Sequence, residues 1–255
     1  MSRRSPDRVW QQDRRAFAAR SRRRLHVRPY QRRDRARIRR IVCATALRGR
    51  PLTAFFEDER VLVKLFLDYY LSYEPESCFV AENEGRVVGY VLGCKDSRRY
   101  LRVVVFRYGP QLLARLVLRL LTGRYRRLNT YRTLWWAVAR AWREVPAADL
   151  RRFPAHMHLG IDQQLRSEGV AFYLCLVRLG DALIRDLRAR GVRGLHGQIA
   201  EPGNQDFLSG RSQTLYGFRV AARRRFSLWT RITGEPWYLK LVTANLEGDR
   251  SDRRA

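Results

Sequence analysis

One short segment carries the residue types of an anion-binding site. It reads Arg-Ser-Glu-Gly-Val-Ala over Arg166–Ala171 and lies between a predicted strand and a predicted long helix. The backbone N–H groups of a first helical turn have no partner within the helix, and the helix dipole adds partial positive charge. Gly169 and Ala171 keep the surface low enough for a ligand to reach that backbone. The segment is therefore a candidate site for a phosphate and especially for a pyrophosphate.

The sequence excludes two other kinds of phosphate-binding loop. Neither G-x-x-x-x-G-K-[ST] nor the three-glycine dinucleotide fingerprint occurs in the sequence. Taken alone, R-x-x-G-x-A is a short pattern that an ordinary strand-to-helix turn also satisfies. The elements around the segment must therefore support the interpretation.

Those elements predict an α+β domain with a mixed sheet. The clearest local signal is CFVAENEGRVVGYVLGCKD, which reads as strand, tight turn and strand. A helix over 168–190 that ends at Gly191, with a strand on either side, indicates one right-handed crossover. The other predicted elements are strands at 25–30, 156–162, 194–200 and 220–232, and helices at 34–47 and 57–70.

Residues 97–153 interrupt this pattern and form a predicted helical insertion. GPQLLARLVLRLLTG is an amphipathic helix candidate in which Arg115 and Arg119 form a narrow polar stripe. TLWWAVARAW is a second candidate. The favoured interpretation packs their leucines and tryptophans onto the core, and the alternative places residues 111–142 on a membrane surface.

The strings YLSYEPESCFVAENEGRVVGYVLGCKD, FPAHMHLGID, RSEGVA and GLHGQIAEPGN, followed by YGF, resemble the GNAT acyltransferase superfamily. In that family an R/Q-x-x-G-x-G/A turn binds the pyrophosphate of acetyl-CoA. The resemblance is closest to bacterial GNAT proteins related to the acetyltransferase-like domain attached to O-GlcNAcases. It implies a three-layer α/β arrangement with a mixed, mostly antiparallel twisted sheet, flanking helices and a helical insertion between strands 3 and 4. We expect a flexible arm over 1–24, the GNAT domain over 25–242 and a flexible tail over 243–255.

The resemblance also implies a co-substrate, acetyl-CoA or another acyl-CoA, with no metal. The strand residues Leu159, Gly160 and Ile161 would separate from their neighbouring strand and pair with the pantetheine arm. Asn204 would lie near the thiol end. The pyrophosphate would be held by Arg166, Ser167, Glu168, Gly169, Val170 and Ala171.

Direct acyl transfer to an amine or hydroxyl needs a base for the acceptor and an acid for the departing thiolate. Asp162 and His158 are the candidate bases, with His196 as a third, and Tyr216 is the candidate acid. Each residue also has a purely structural interpretation. The histidines would be hydrogen-bonded within the sheet, Asp162 would cap a turn or helix, and Tyr216 would pack in the core. Two positions depart from the family pattern, because Gly160 replaces a frequent aspartate and Gln213 replaces a frequent tyrosine. The alternative function is therefore a catalytically degenerate GNAT fold that binds a partner or polyanion.

Charge and composition limit the classes of partner that the protein can bind. The chain has 52 basic and 24 acidic residues, a net charge of +28, and residues 1–40 alone contain 16 arginines and three aspartates. Such a surface attracts polyanions without specificity, and no motif of specific nucleic-acid recognition is visible. The charge disfavours a polycationic acceptor, so a small-molecule, saccharide or amine acceptor is expected.

Four scattered cysteines indicate reduced core thiols rather than a disulfide framework or zinc site. The start of the sequence lacks the apolar block of a secretory signal, and no apolar run of about 18 residues predicts a spanning helix. The expected protein is cytoplasmic, and monomer and dimer both remain open.

Overall fold

The structure, a computed structural model, describes residues 25–45, 51–166, 169–203, 210 and 216–247. Within these residues, seven strands form one mixed sheet in the order β1-β2-β3-β4-β5-β7-β6. The strands are β1 Leu25–Pro29, β2 Cys78–Asn83, β3 Arg86–Cys94, β4 Ala155–Ile161, β5 Gly194–Pro202, β6 Arg219–Arg225 and β7 Trp237–Asn245. The predicted α+β class with a mixed, mostly antiparallel sheet is confirmed, because only β4 and β5 pair in parallel.

Helices cover both faces of this sheet. They are α1 Arg35–Thr45, α2 Glu59–Val63, α3 Tyr69–Tyr73, α4 Ser97–Arg102, α5 Gly109–Leu121, α6 Leu128–Ala139, α7 Ala141–Glu144, α8 Gln163–Arg166, α9 Val170–Ala189 and α10 Ser227–Thr233. Single π-helical segments join α2 to α3 and α4 to α5. Helices α4–α7 lie between β3 and β4, which confirms the predicted helical insertion.

The β2–β3 hairpin confirms the clearest local signal of the sequence. Its connection is the pair Glu84 and Gly85, with φ angles of 52° and 77°. Only glycine adopts such angles without steric cost, and a tight two-residue turn of matching twist requires them. The hairpin places β3 against β4, with Tyr90 opposite Gly160 and Leu92 opposite His158.

The alternation of side chains along each strand divides the core into two clusters. On one face, Tyr90, Leu92 and Cys94 pack with helices α1–α3 and α10. On the other face, Val91, Ile161 and Leu195 pack against α9. Residues 156, 158 and 160 of β4 therefore lie on the first face, and residues 157, 159 and 161 lie on the second.

The sequence prediction was wrong in the last quarter of the chain. The predicted strand over 220–232 is strand β6 followed by helix α10, in which Leu228 and Trp229 are buried. Strand β7 was missed, and the predicted tail from 243 begins too early, since β7 continues to Asn245. Strand β7 lies between β5 and β6 and is buried along most of its length. Its sequence therefore lacks the alternation of apolar and polar residues that marks a half-exposed strand.

Candidate active site

The central feature of the site is an opening between β4 and β5. These parallel strands pair only at Ala155 with Leu195 and at His156 with His196. Beyond that point β4 remains paired with β3 as far as Ile161, and β5 remains paired with β7 as far as Pro202. The two strands therefore separate towards their carboxyl ends, as the sequence analysis predicted for Leu159–Ile161.

The register of β4 shows which backbone groups face this opening. Asp162 donates its backbone N–H to the carbonyl of Val88 at 2.8 Å, directly across the β3–β4 pair. Hydrogen-bonded pairs alternate along an antiparallel ladder, so Gly160 and His158 also direct their N–H and C=O groups to β3. The N–H and C=O groups of Leu159 and Ile161 therefore point towards the opening. An extended ligand with amide groups can add to this edge as a strand.

The amino end of α9 follows the carboxyl end of β4, the end at which β4 has separated from β5. Helix α9 begins at Val170, a few residues after β4 ends at Ile161. Gly169 precedes the helix with φ 22° and ψ −70°, it is exposed, and a Cβ atom built there would meet nothing within 4 Å. The backbone is thus open to solvent where the unpaired N–H groups of the first turn lie.

Other residues of the predicted anion site divide into two groups. The side chain of Ala171 is buried in the core cluster below α9, so only its backbone is available to a ligand. Ser167, Glu168 and Asn204, and the side chains of Arg166 and Val170, lie outside the described residues. Their predicted contacts with the co-substrate stay predictions.

His158 lies on the other side of β4 within an aromatic group. Its ring stacks between Phe66, at a centroid distance of 5.4 Å, and Tyr90, at 5.7 Å. Its Nδ1 lies 3.3 Å from the hydroxyl oxygen of Tyr90. Burial lowers the pKa of His158 to about 4, so the ring is neutral at neutral pH. A neutral imidazole beside the opening can accept a proton.

His156 and His196 lie where β4 and β5 begin to separate. Ser97 donates its hydroxyl proton to the carbonyl of Pro154 at 2.6 Å, so its oxygen accepts from Nδ1 of His156 at 2.7 Å. Nε2 of His156 then accepts from the Tyr70 hydroxyl at 2.8 Å. His196 donates from Nδ1 to the carbonyl of Phe153 at 2.9 Å. Both nitrogens of His156 are thus engaged, and its role is structural.

Comparisons with known proteins agree with this fold. No family model and no curated protein match the chain significantly. The crystal structure of SsHAT matches 88% of this chain and 99% of its own, at 22% identity and a TM-score of 0.57. A Drosophila melanogaster polyamine N-acetyltransferase, which forms N-acetylagmatine, matches 87% of this chain and 99% of its own, at 19% identity and a TM-score of 0.51.

The chain has the GNAT fold. The helical insertion and the separated β4 and β5 lie within this fold, and the finer resemblance to O-GlcNAcase-associated proteins stays a prediction. In the described residues, no group of three or more His, Cys, Asp or Glu is placed to hold a metal ion. No helix in those residues is long and apolar enough to cross a bilayer.

Asp162, the first predicted base of this GNAT fold, is engaged in structural contacts. Its carboxylate pairs with the guanidinium of Arg37 from α1 and lies 3.9 Å from that of Arg86. It also accepts from the backbone N–H of Gln164 at 3.1 Å, which caps α8. The capping interpretation therefore fits Asp162, whose carboxylate is already engaged.

Tyr216, the predicted acid, packs against α9. Its hydroxyl donates to the carbonyl of Val177 at 2.7 Å, and its ring lies where a Cβ atom on Gly180 would be. Burial raises its pKa, which weakens it as a proton donor. The packing interpretation fits these contacts, and we do not assign the acid to Tyr216.

Two site residues were missed by sequence reasoning. A Cβ atom on Gly160 would lie 2.4 Å from the Tyr90 hydroxyl, so the Tyr90 ring fills the space that a side chain at position 160 would occupy. Phe66 closes the other side of His158. The only available signal was the cross-strand pairing of Tyr90 with Gly160, which follows from a register that the sequence did not specify.

The buried histidines predict a pH-dependent stability. Burial lowers the pKa of His156 to about 3 and that of His158 to about 4, from 6.5. The unfolded chain therefore binds more protons than the folded chain between these values, and stability falls as the pH drops below about 6.5. We expect urea denaturation to show a loss of roughly 4 kcal/mol between pH 7 and pH 5. His26→Gln, at an exposed position of β1, should leave this loss unchanged, and a flat profile would contradict the burial of both rings.

Proposed function

We propose that the protein transfers an acyl group from acyl-CoA, with acetyl-CoA as the first candidate, to an amine or hydroxyl. The observation that carries the proposal is the separation of β4 from β5 next to the amino end of α9. The free edge of β4 would offer a line of backbone hydrogen-bonding groups, and the amino end of α9 would offer an anion-binding site after it. Pantetheine has two amide groups and is followed by a pyrophosphate, so its chemistry matches that sequence of groups.

Leu159 and Ile161 would hold the pantetheine arm by their backbone groups, and the first turn of α9 would hold the pyrophosphate. Bound acyl-CoA supplies the activated thioester. A backbone N–H of β4 that faces the opening would polarise its carbonyl, as an oxyanion-type donor does. None of these roles requires a side chain that is already engaged in the fold.

His158 is the proposed base. If Nδ1 donates to Tyr90, Nε2 carries the lone pair and can accept the proton of the attacking group. Phe66 and Tyr90 hold the ring by stacking, so its orientation is defined before the acceptor binds. The acceptor would lie on the face of the sheet that carries His158 and the aromatic group.

One observation favours the second candidate function, a degenerate fold that binds without chemistry. Asp162 and Tyr216 are both engaged in structural contacts, and Gly160 lacks a side chain. In that case the protein would bind a partner or polyanion through its arginine-rich surface. Binding of acetyl-CoA distinguishes the two functions, because a degenerate fold has no need of the co-substrate.

The test is calorimetry with acetyl-CoA on the wild-type chain and on Gly169→Trp. The indole should cover the open backbone before α9 and weaken binding by about tenfold or more, through lost contacts to the pyrophosphate. S-acetylpantetheine lacks the pyrophosphate, so its affinity should not change. Gly191→Trp is the matched control, because Gly191 is also exposed and at positive φ but follows the opposite end of α9. If the wild type binds no acetyl-CoA at millimolar concentration, the proposed function is wrong.

A further inference from the structure

Helix α5 places its arginines inward and most of its apolar residues outward. Arg115 contacts the carboxylate of Asp58 at 2.8 Å, and Arg119 lies 3.3 Å from it. Asp58 itself is only 3% exposed. The expectation that the insertion packs its leucines onto the core is therefore wrong for much of α5, since an ordinary surface helix has the opposite arrangement. The outward residues are Phe106 before the helix, then Leu113, Val117, Leu118, Leu120 and Leu121.

The second helical part of the insertion has an outward apolar stripe as well. Its exposed residues are Leu128, Tyr131, Trp135, Val138 and Trp142, which recur at intervals of three and four. Val138 is 83% exposed and Trp142 is 75% exposed. Leu134 and Trp136, between them, pack on the core. The insertion thus has enough apolar residues for the core and a second set directed to the outside.

We call these two sets the α5 stripe and the α6–α7 stripe. They are adjacent in the chain, because the segment 122–127 joins Leu121 to Leu128. Isolated apolar residues on a surface need no explanation, but two helical stripes of this size indicate an apolar medium or partner.

Arginines accompany both stripes. The guanidinium of Arg140 lies 5.2 Å from the ring of Trp135, and that of Arg143 lies 5.6 Å from the ring of Trp142. At the end of α5, the exposed Arg124 lines a pocket with Leu118 and Thr122, next to the inward-facing Arg115 and Arg119. Tryptophan and arginine together are typical of the interface between lipid headgroups and acyl chains.

Charge decides which occupant fits. A second copy of this chain would bring another net charge of +28 to the contact, and the two copies would repel each other. An anionic bilayer attracts the arginines and accepts the apolar side chains at the same time. Since no described helix is able to cross a bilayer, the insertion would lie along its surface.

We propose that the two stripes bind the surface of an anionic membrane. The α5 stripe and the α6–α7 stripe enter the interface, and the arginines beside them contact the lipid phosphates. The proposal is independent of acyl transfer, because no residue of either stripe belongs to the opening between β4 and β5. Its test therefore needs no enzyme activity.

The test is flotation of the full chain with vesicles of equal parts phosphatidylcholine and phosphatidylglycerol, beside vesicles of phosphatidylcholine alone. The wild type should float with the anionic vesicles, and much less with the neutral ones. Val117→Asp with Leu121→Asp should reduce the membrane partition coefficient by about tenfold or more, because two apolar side chains no longer enter the interface. Trp135→Asp with Val138→Asp tests the other stripe in the same way. Val220→Asp with Ala221→Asp, at two exposed positions on the edge strand β6, controls for the two added negative charges.

Three results would overturn the proposal. In the first, the wild type stays at the bottom of the gradient with anionic vesicles. In the second, both stripe variants float like the wild type, which would mean that charge alone explains binding. In the third, sedimentation shows a wild-type dimer that the stripe variants dissociate while vesicles are not bound, so that a second copy covers the stripes. Thermal unfolding of each variant confirms that its fold is intact, which exposed positions should allow.

Discussion

His158→Gln is expected to lower acetyl-CoA-dependent turnover by about 10²-fold, the low end of the range for general-base catalysis. The low end is appropriate because a pKa of about 4 makes the imidazole a weak base. Glutamine can still hydrogen-bond to Tyr90, so the change removes the proton acceptor and little else. The affinity for acetyl-CoA should stay the same, since backbone groups of β4 and α9 hold the co-substrate in our proposal.

The measurement is release of free CoA thiol with a panel of small amines, amino sugars and alcohols as acceptors. In the wild type, kcat/KM should decline only as the pH approaches about 4, because His158 stays neutral above that value. The glutamine variant should lack this acid limb. His26→Gln, far from the opening on β1, is the matched control. Wild-type turnover by His158→Gln would reject the base role while leaving co-substrate binding intact.

Asp58→Ala is expected to lower the free energy of unfolding by about 3–5 kcal/mol, as when one partner of a buried ion pair is removed. The Asp58 carboxylate accepts hydrogen bonds from Arg115 at 2.8 and 3.0 Å and from the Tyr125 hydroxyl at 3.1 Å. Without it, two inward-facing guanidinium groups lose their counter-charge. The helix that carries the α5 stripe would then lose the contact that fixes its orientation.

Urea denaturation of Asp58→Ala beside Asp68→Ala measures this effect. Asp68 pairs with Arg35 at 2.8 Å, but that arginine is half exposed, so its removal should cost about 0–1 kcal/mol. Burial alone would raise the pKa of Asp58, but hydrogen bonds from Arg115 and Tyr125 and the nearby positive charges outweigh it and lower the pKa. The contribution of Asp58 is therefore present above its ordinary pKa of 3.8 and is lost in stronger acid. Equal losses of unfolding free energy in the two variants would mean that Asp58 does not hold α5 in place.

Local patterns in the sequence were sufficient where short-range geometry decides the structure. The turn at Glu84 and Gly85, the helix ending before Gly191 and the crossover between β4 and β5 each depend on residues close together in the chain. Strand β7 and helix α10 were not predicted, because burial of β7 between two strands and packing of Trp229 against Phe55 are long-range events. The exposed arginines of β6 gave no apolar alternation to mark where that strand ends.

The amino-acid sequence by itself determined the order of elements from β1 to β5, the helical insertion and the strand-to-helix turn at Gly169, since each follows from residue types within a few positions. Only the tertiary structure decided what the candidate side chains do. It pairs Asp162 with Arg37, turns Tyr216 onto α9, places Tyr90 over Gly160 and directs Arg115 and Arg119 inward to Asp58. These contacts join residues that are 36 to 125 positions apart, and no local periodicity contains information about such distances.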